Sequence, residues 1–341
     1  MLTPPAGFGE DLLAVALGAN WGLAAATVSY RPVGFGSYHW AVTDTAGARW
    51  FVTADDLELR RCSLAESLDD AFARLRASLA TAAGLRERGC GFVVAPVATA
   101  GGDLVIRAGE RFTVAVYPFV DGRSFTWGEF AAPAHRLAML EMISAVHLAS
   151  VADGLPALAD DFAIPHRDEL EAALAGAGGM PGTGPYAEPA ARLLRRRGGP
   201  VRALLARYDA LAGQVSPGSP RTVVTHGEPH PGNAMLGGDG WRLIDWDTAL
   251  VAPPERDLWS LDQGDGAVLA AYAARTGVRP DPVALELYRI RWDLADIAAN
   301  ASRFRRPHVG SEDDDKTWRG LVWLIEKAGG DAPVVRDGPA R

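Results

Sequence analysis

The stretch from Thr222 to Leu258 constrains this chain most. It reads TVVTHGEPHPGNAML, then a glycine turn, then WRLIDWDTALVAPPERDL. Apolar runs on either side of Gly237 to Gly240 predict one strand over Ala234–Leu236 and another over Trp241–Ile244. A buried strand before them leads into a loop carrying His226, Glu228, His230 and Asn233, and the last strand ends on Asp245. Asn233 and Asp245 lie 12 positions apart (245 minus 233), the length of a strand, a turn and a strand. Their side chains are therefore expected to converge. Two acids and an amide at rigid strand ends suit phosphoryl transfer: one group orients a hydroxyl, and two oxygen ligands hold Mg²⁺ against a nucleotide's phosphates.

At 341 residues the chain is long enough for a bilobal unit. A formal net charge of -8 argues against a general nucleic-acid binder and favours a cationic partner. The two cysteines, Cys62 and Cys90, have no metal-ligand spacing and read as reduced thiols of a cytoplasmic protein. The opening MLTPPAGFGE lacks the basic segment of a secretory signal. Leu12 to Tyr30 carries no charge, yet Gly18, Asn20 and Gly22 interrupt it, so a short buried helix and a strand are expected rather than a membrane span.

Along the chain, a helix over Glu10–Ala19 precedes three strands between Thr27 and Leu57. Helical spacing of Leu64, Leu68, Phe72, Leu75 and Leu79 predicts a helix to Arg88, and short strands follow over Phe92–Val120. From Tyr117–Gly122 onward the texture turns helical. Helices are expected over Phe130–Val151, Arg167–Ala175, Glu188–Ala212, Ala267–Arg275, Pro282–Phe304 and Ser311–Ala328, with a flexible Gly176–Pro185 run and a frayed tail from Gly329. The expected class is α+β: a small antiparallel-sheet lobe over residues 1–116, a hinge over 117–122 and a mostly helical lobe over 123–341. A ligand cleft is expected between the lobes.

The order GFGSYHW, WFVTADDL, VYPFVDGRSF, HGEPHPGN, IDWD, PPERDL resembles the aminoglycoside phosphotransferase and choline kinase family, nearest its spectinomycin phosphotransferase branch. The resemblance spans nearly the whole chain. It implies a protein-kinase-like fold, ATP or GTP as donor, Mg²⁺ and a small-molecule acceptor. Glu228 then stands where the family places its catalytic Asp, with Asn233 and Asp245 as metal ligands. Gly34, Gly36 and Ser37 would cover the phosphates, or form a plain hairpin turn. Tyr117, Phe119 and Val120 would line a purine slot, or merely cross between lobes. Thr53 occupies the place of the phosphate-pairing lysine. The only lysines are Lys316 and Lys327; Arg49, Arg60, Arg61, Arg74 and Arg76 are nearby in sequence, without a matching pattern position, and Glu66, Asp69 and Asp70 are candidate helix acids.

Acceptor candidates are His230, Asp247, and Asp293 with Asp296 at helical spacing; Trp292 and Trp318 either stack on a ligand or pack inside. His226 is expected to anchor its loop, and Arg256 and Asp257 to tie the segment down by ion pairing. The acids at 312–315 either favour a helix N-terminus or face an acceptor. The reading is a cytoplasmic O-phosphotransferase of a hydroxyl on an aminoglycoside, aminocyclitol or other cationic metabolite, without nucleic-acid or membrane partners. A kinase-fold protein that binds ligand without turnover is the alternative that Thr53 and Glu228 motivate.

Overall fold

The computed structural model of the chain describes residues 1–149, 154–176, 183–215 and 221–330. After helix α1 (Glu10–Trp21) come strands β1 (Ala25–Arg31), β2 (Ser37–Asp44) and β3 (Arg49–Asp56). One turn of helix, α2 (Leu57–Arg60), leads to α3 (Leu68–Glu87), then β4 (Ile106–Ala108) and β5 (Phe112–Pro118). The five strands form one antiparallel sheet in the order β1-β2-β3-β5-β4. Its core face buries Trp40, Val42, Val52, Ala54, Val114 and Val116 against Phe8, Leu13 and Leu17 beside it. Period-2 alternation therefore puts Phe51, Thr53 and Asp55 of β3 on the opposite face.

The α3 helix starts four residues later than the apolar spacing suggests. Ser67 caps it, exchanging hydrogen bonds with Asp70 in a capping box. Residues 92–105 hold only an isolated bridge from Val93 to Leu243 instead of the expected strands.

The chain then forms β6 (Gly122–Arg123), α4 (Pro133–Ala149) and α5 (Arg167–Leu174). The helix expected over 188–212 is two, α6 (Ala187–Arg197) and α7 (Gly199–Ala212), because Gly198, Gly199 and Pro200 break it. Strand β7 (Val223–Thr225) pairs with β10 (Leu250–Ala252); between them, the 3₁₀ turn Pro231–Asn233 leads into the hairpin of β8 (Ala234–Gly237) and β9 (Gly240–Leu243). Four helices close the chain: α8 (Glu255–Leu261), α9 (Ala267–Thr276), α10 (Pro282–Arg303) and α11 (Glu312–Gly329). Most of the run at Gly176–Pro185 and the tail after Gly330 lie outside the described residues. Leu12–Tyr30 is a helix and a strand, and among the described residues no helix is long and apolar enough to cross a membrane.

Two contacts join the sheet to the helices around the connector. β6 pairs with β8, and Arg49 of β3 bonds Asp121 at 2.6 Å while lying 3.7 Å above the Phe119 ring. Gly122 is required at this crossing: a Cβ there would sit 2.7 Å from the Leu236 carbonyl oxygen. Gly122→Ala should therefore lose about 1–3 kcal/mol in denaturant unfolding. Gly238→Ala, whose Cβ would meet nothing within 4 Å, should stay within about 0.5 kcal/mol of the parent.

Candidate functional site

The loop between β7 and β8 is held from beneath by Asp257 of α8. Its buried carboxylate accepts the N–H of His226 at 2.9 Å, the N–H of Gly227 at 2.6 Å, and His147 Nε2 at 3.1 Å. Burial alone would raise the Asp257 pKa; the hydrogen bond and charge of His147, with Arg256, hold it below the usual carboxylate range. Arg256 was expected to form an ion pair. Instead it donates to the Thr225 hydroxyl at 2.8 Å and the Thr248 carbonyl at 2.9 Å. Gly227 has φ +97, and a Cβ there would overlap the Arg256 guanidinium, so only glycine fits this crossing.

His226 is fully buried. Its Nε2 bonds the Ile244 carbonyl at 2.8 Å and its Nδ1 meets the Glu228 N–H at 3.2 Å. Those partners require the neutral Nε2–H tautomer. Burial pulls its pKa down, against the opposing pull of Asp257. His226 thus anchors the loop, as expected.

Glu228 follows with its backbone carbonyl fixed by the His230 N–H at 2.8 Å and by Asn233 Nδ2 at 2.9 Å. Asn233 therefore commits its amide nitrogen to the loop and leaves its Oδ1 for another partner. The Ile244 N–H donates to the Asn233 carbonyl at 3.0 Å, so Asn233 and Asp245 flank the same end of the β8–β9 hairpin. Asp245 has φ 68, a left-handed backbone that Asp tolerates better than most residues but that still carries strain.

The Asp245 pKa is raised well above the usual carboxylate range. Its deep seat among protein atoms contributes most, then the Asp247 and Glu228 charges, while Arg60 pulls the other way. The side chain still meets solvent, so crowding by like charges is the contribution a bound cation would relieve. An amide oxygen and clustered carboxylates are hard donors of the kind Mg²⁺ and Ca²⁺ take. Among the described residues no three His, Cys, Asp or Glu side chains form a metal cluster.

On the sheet side, Gly34 and Gly36 adopt φ 69 and 94 in the turn before β2. Ser37 donates to Asp55 at 2.7 Å and accepts from Arg60 Nη2 at 2.8 Å. Thr53 reaches the Tyr117 phenol, whose pKa burial raises. The Phe119 N–H donates to the Arg49 carbonyl at 3.3 Å and its ring lies under the Arg49 guanidinium. Val120 forms no backbone hydrogen bond among the described residues. The helix acids are engaged elsewhere: Glu66 with Arg74, Asp69 with Arg107 at 2.6 Å, and Asp70 in the cap. Sequence spacing missed the role of Arg60, which bridges Asp55 and Asp247. Asp247 is thus engaged by Arg60.

A pocket of about 130 Å³ opens beside the loop, lined by Glu228, His230, Trp127, Trp259 and Trp292 among others. Trp259 and Trp292 lie 5.5 Å apart at 51°. Asp296 stands one turn beyond Trp292 on α10 and shares its face. Asp293 does not reach this pocket; it turns to α11 and binds Lys327 at 2.7 Å. Trp318 stacks on Tyr186 at 5.6 Å within the helical core. Three of the acids at 312–315 serve structure: Asp314 completes the Ser311 capping box of α11, Asp313 holds the backbone of Leu2 and Thr3, and Asp315 meets the Tyr186 hydroxyl. Trp127 and Trp259 were missed, since a lone aromatic in a loop or short helix gives no periodic signal.

Asp257→Ala should cost about 3–5 kcal/mol in chemical unfolding, because two backbone N–H groups and a histidine lose their buried acceptor. Acidification should also destabilise the fold. His226, His135 and His166 are pulled down and His39 reaches about 4, burial being the largest cause for each. The unfolded chain takes up these protons near pH about 6.5 and the native state does not. Stability is then complete above that pH and falls below it, for the buried His226 by up to about 1.4 kcal/mol per unit. Urea midpoints at pH 7.5 and 5.5 report this directly; equal midpoints contradict it.

The Phosphotransferase enzyme family model matches residues 29–288. Protein StrN of Streptomyces griseus is 32% identical over 253 residues, covering 72% of this chain and 75% of that protein. Among solved structures, spectinomycin phosphotransferase in complex with ADP and spectinomycin superposes with a TM-score of 0.71 at 15% identity, covering 95% of this chain and 99% of its own. Amicoumacin kinase in complex with AMP-PNP and Ca²⁺ gives a TM-score of 0.62 at 14% identity, covering 96% and 95%. The kinase-like fold is thereby shared, and the chain belongs to the phosphotransferase enzyme family of aminoglycoside phosphotransferases and choline kinases.

Proposed function

We propose that this protein transfers the terminal phosphoryl group of ATP or GTP to a hydroxyl of a small cationic acceptor of the aminoglycoside or aminocyclitol kind. One observation carries the reading. Asn233 and Asp245 share a hairpin end, and the Glu228 carbonyl is bonded to the Asn233 amide, while Glu228 also lines the tryptophan-walled pocket. A metal-binding edge and an acceptor pocket thus meet at Glu228. The ligands of the two structural relatives, ADP with spectinomycin and AMP-PNP with Ca²⁺, support the same class.

In this reading the acceptor enters beside Trp259 and Trp292, whose faces suit sugar rings and cations. Glu228 accepts the proton of the acceptor hydroxyl and keeps the oxygen aimed at the donor. Asn233 Oδ1 and the Asp245 carboxylate would hold Mg²⁺, which when bound neutralises phosphate charge. Gly34, Gly36 and Ser37 edge the phosphates, and the unpaired backbone of Val120 meets the purine. Because little covalent chemistry is needed, the protein's contribution is placement and electrostatics. The proposed localisation is cytoplasmic.

Thr53 favours a second reading, a ligand-binding protein of the same fold without turnover. Thermal shift with ATP or GTP plus Mg²⁺ separates the two, since a bound donor raises the melting temperature by mass action and no shift supports the second. A phosphate-transfer screen over amino sugars and choline-like alcohols then identifies the acceptor. With that acceptor, Asp245→Ala should lower turnover by at least about 100-fold while the unfolding midpoint holds. Undiminished transfer by the variant overturns the assignment.

A further inference from the structure

We propose that Arg60 is the cation that contacts the donor phosphates, replacing the strand lysine absent at Thr53; this rests on the nucleotide-dependent reading above. On β3 the positions facing away from the core are Arg49, Phe51, Thr53 and Asp55, and the one basic residue among them, Arg49, is bound to Asp121 at 2.6 Å over the Phe119 ring. The sheet nevertheless delivers a guanidinium to this face by another route. Asp56 caps the four-residue α2 by accepting the Glu58 N–H at 3.1 Å, and Leu57 is fully buried beneath it. This turn reverses the chain, so Arg60 folds back alongside β3.

Its Nε and Nη2 reach Asp55 Oδ1 at 3.0 and 2.6 Å, and Nη2 also reaches Ser37 Oγ at 2.8 Å and Asp247. Arg74 secures the Arg60 backbone carbonyl from α3. Asp55, only 4% exposed in its side chain, is fixed in turn by Thr113 at 3.2 Å. Arg60 is therefore held by a carboxylate that cannot itself swing away. Among the described residues its Nη1 has no hydrogen-bond partner, and those two N–H groups remain for a ligand.

The location matches the role. Arg60 joins the end of the glycine turn (Ser37) to Asp247, two residues beyond Asp245. With Asp55, Asp245, Asp247 and Glu228 in this neighbourhood, a polyanionic donor needs a fixed positive group beside its divalent ion. A guanidinium presents several donors in a plane and suits phosphate oxygens, and an aspartate pair orients it as a helix acid would orient a lysine. Of the two lysines, Lys327 is bound to Asp293, while Lys316 lies 5.6 Å from the Phe35 ring on the glycine turn. Lys316 is the competing candidate and serves as the comparison.

The test is calorimetric binding of Mg·ATP, Mg·GTP, adenosine and guanosine to the wild type, Arg60→Gln, Arg60→Lys and Lys316→Ala, with no acceptor present. Arg60→Gln should weaken the preferred triphosphate at least about tenfold, the loss of one charge-assisted contact, and leave the matching nucleoside within about twofold. Arg60→Lys should recover part of that loss, and Lys316→Ala should bind as the wild type does. Unchanged triphosphate affinity in Arg60→Gln, equal losses for nucleoside and triphosphate, or a loss carried by Lys316→Ala instead would overturn the assignment to Arg60 alone. Failure of the wild type to bind any triphosphate would overturn the nucleotide reading, and this inference with it.

Discussion

The loop that carries Glu228 and Asn233 depends on one buried carboxylate. Asp257 has no solvent contact, so its charge is tolerable only because two backbone N–H groups and His147 surround it. His147 is itself fixed by the Tyr272 hydroxyl at 2.9 Å, which ties α4 and α9 to the same point. The residues beside Asp257 extend the arrangement. Glu255, fully buried, accepts the Asp281 N–H at 2.6 Å and so reaches the N-terminal cap of α10. Arg256 reaches β7 and the Thr248 carbonyl. Three consecutive charged residues at the start of a seven-residue helix thus lock the loop, the strand pair and the pocket-forming helix into one frame.

That frame makes the contrast with the cleft above it informative. Below the loop every charge has a partner, and the Asp257 pKa falls. Above it, Asp245 is crowded by Asp247 and Glu228 and its pKa rises. A protein interior does not ordinarily keep carboxylates together unless something positive joins them. Arg60 supplies part of that charge, and an acidic edge of oxygen donors is the natural seat for a divalent ion. The like-charge crowding and the left-handed Asp245 backbone occur at the same residue, the one proposed above to hold the metal.

Much of this could be read from residue order, and the physical reason is locality. The β8–β9 hairpin needed only alternating apolar residues around Gly237–Gly240, so the placement of Asn233 and Asp245 at one end of it followed from its length. The helix after Pro253-Pro254 and the Ser311 cap of α11 are local signals too. Long-range pairings were not legible. Arg60 meets a residue 187 positions later (247 minus 60), guided by one turn of helix too short to show periodicity. Asp293 and Asp296 share a helical spacing, yet Lys327 captures the first. Phe119 is held by Arg49, which offers its ring a cation and its backbone a carbonyl. In each case a partner elsewhere in the chain chose among orientations that the local sequence permits equally.

The same frame bears on how Glu228 would meet the role proposed for it. The Glu228 N–H is taken by His226, and its carbonyl by His230 and Asn233. Pro229 and Pro231 restrict the backbone on either side. The main chain at 228 is thus fixed at both its donor and its acceptor and cannot retreat to absorb an extra methylene. The longer side chain instead extends toward the pocket, where its carboxylate lies 3.8 Å from His230 Nε2. Under the proposed function, that reach places the acceptor hydroxyl farther from the loop than an aspartate would, in a pocket walled by Trp127, Trp259 and Trp292 rather than by loop backbone.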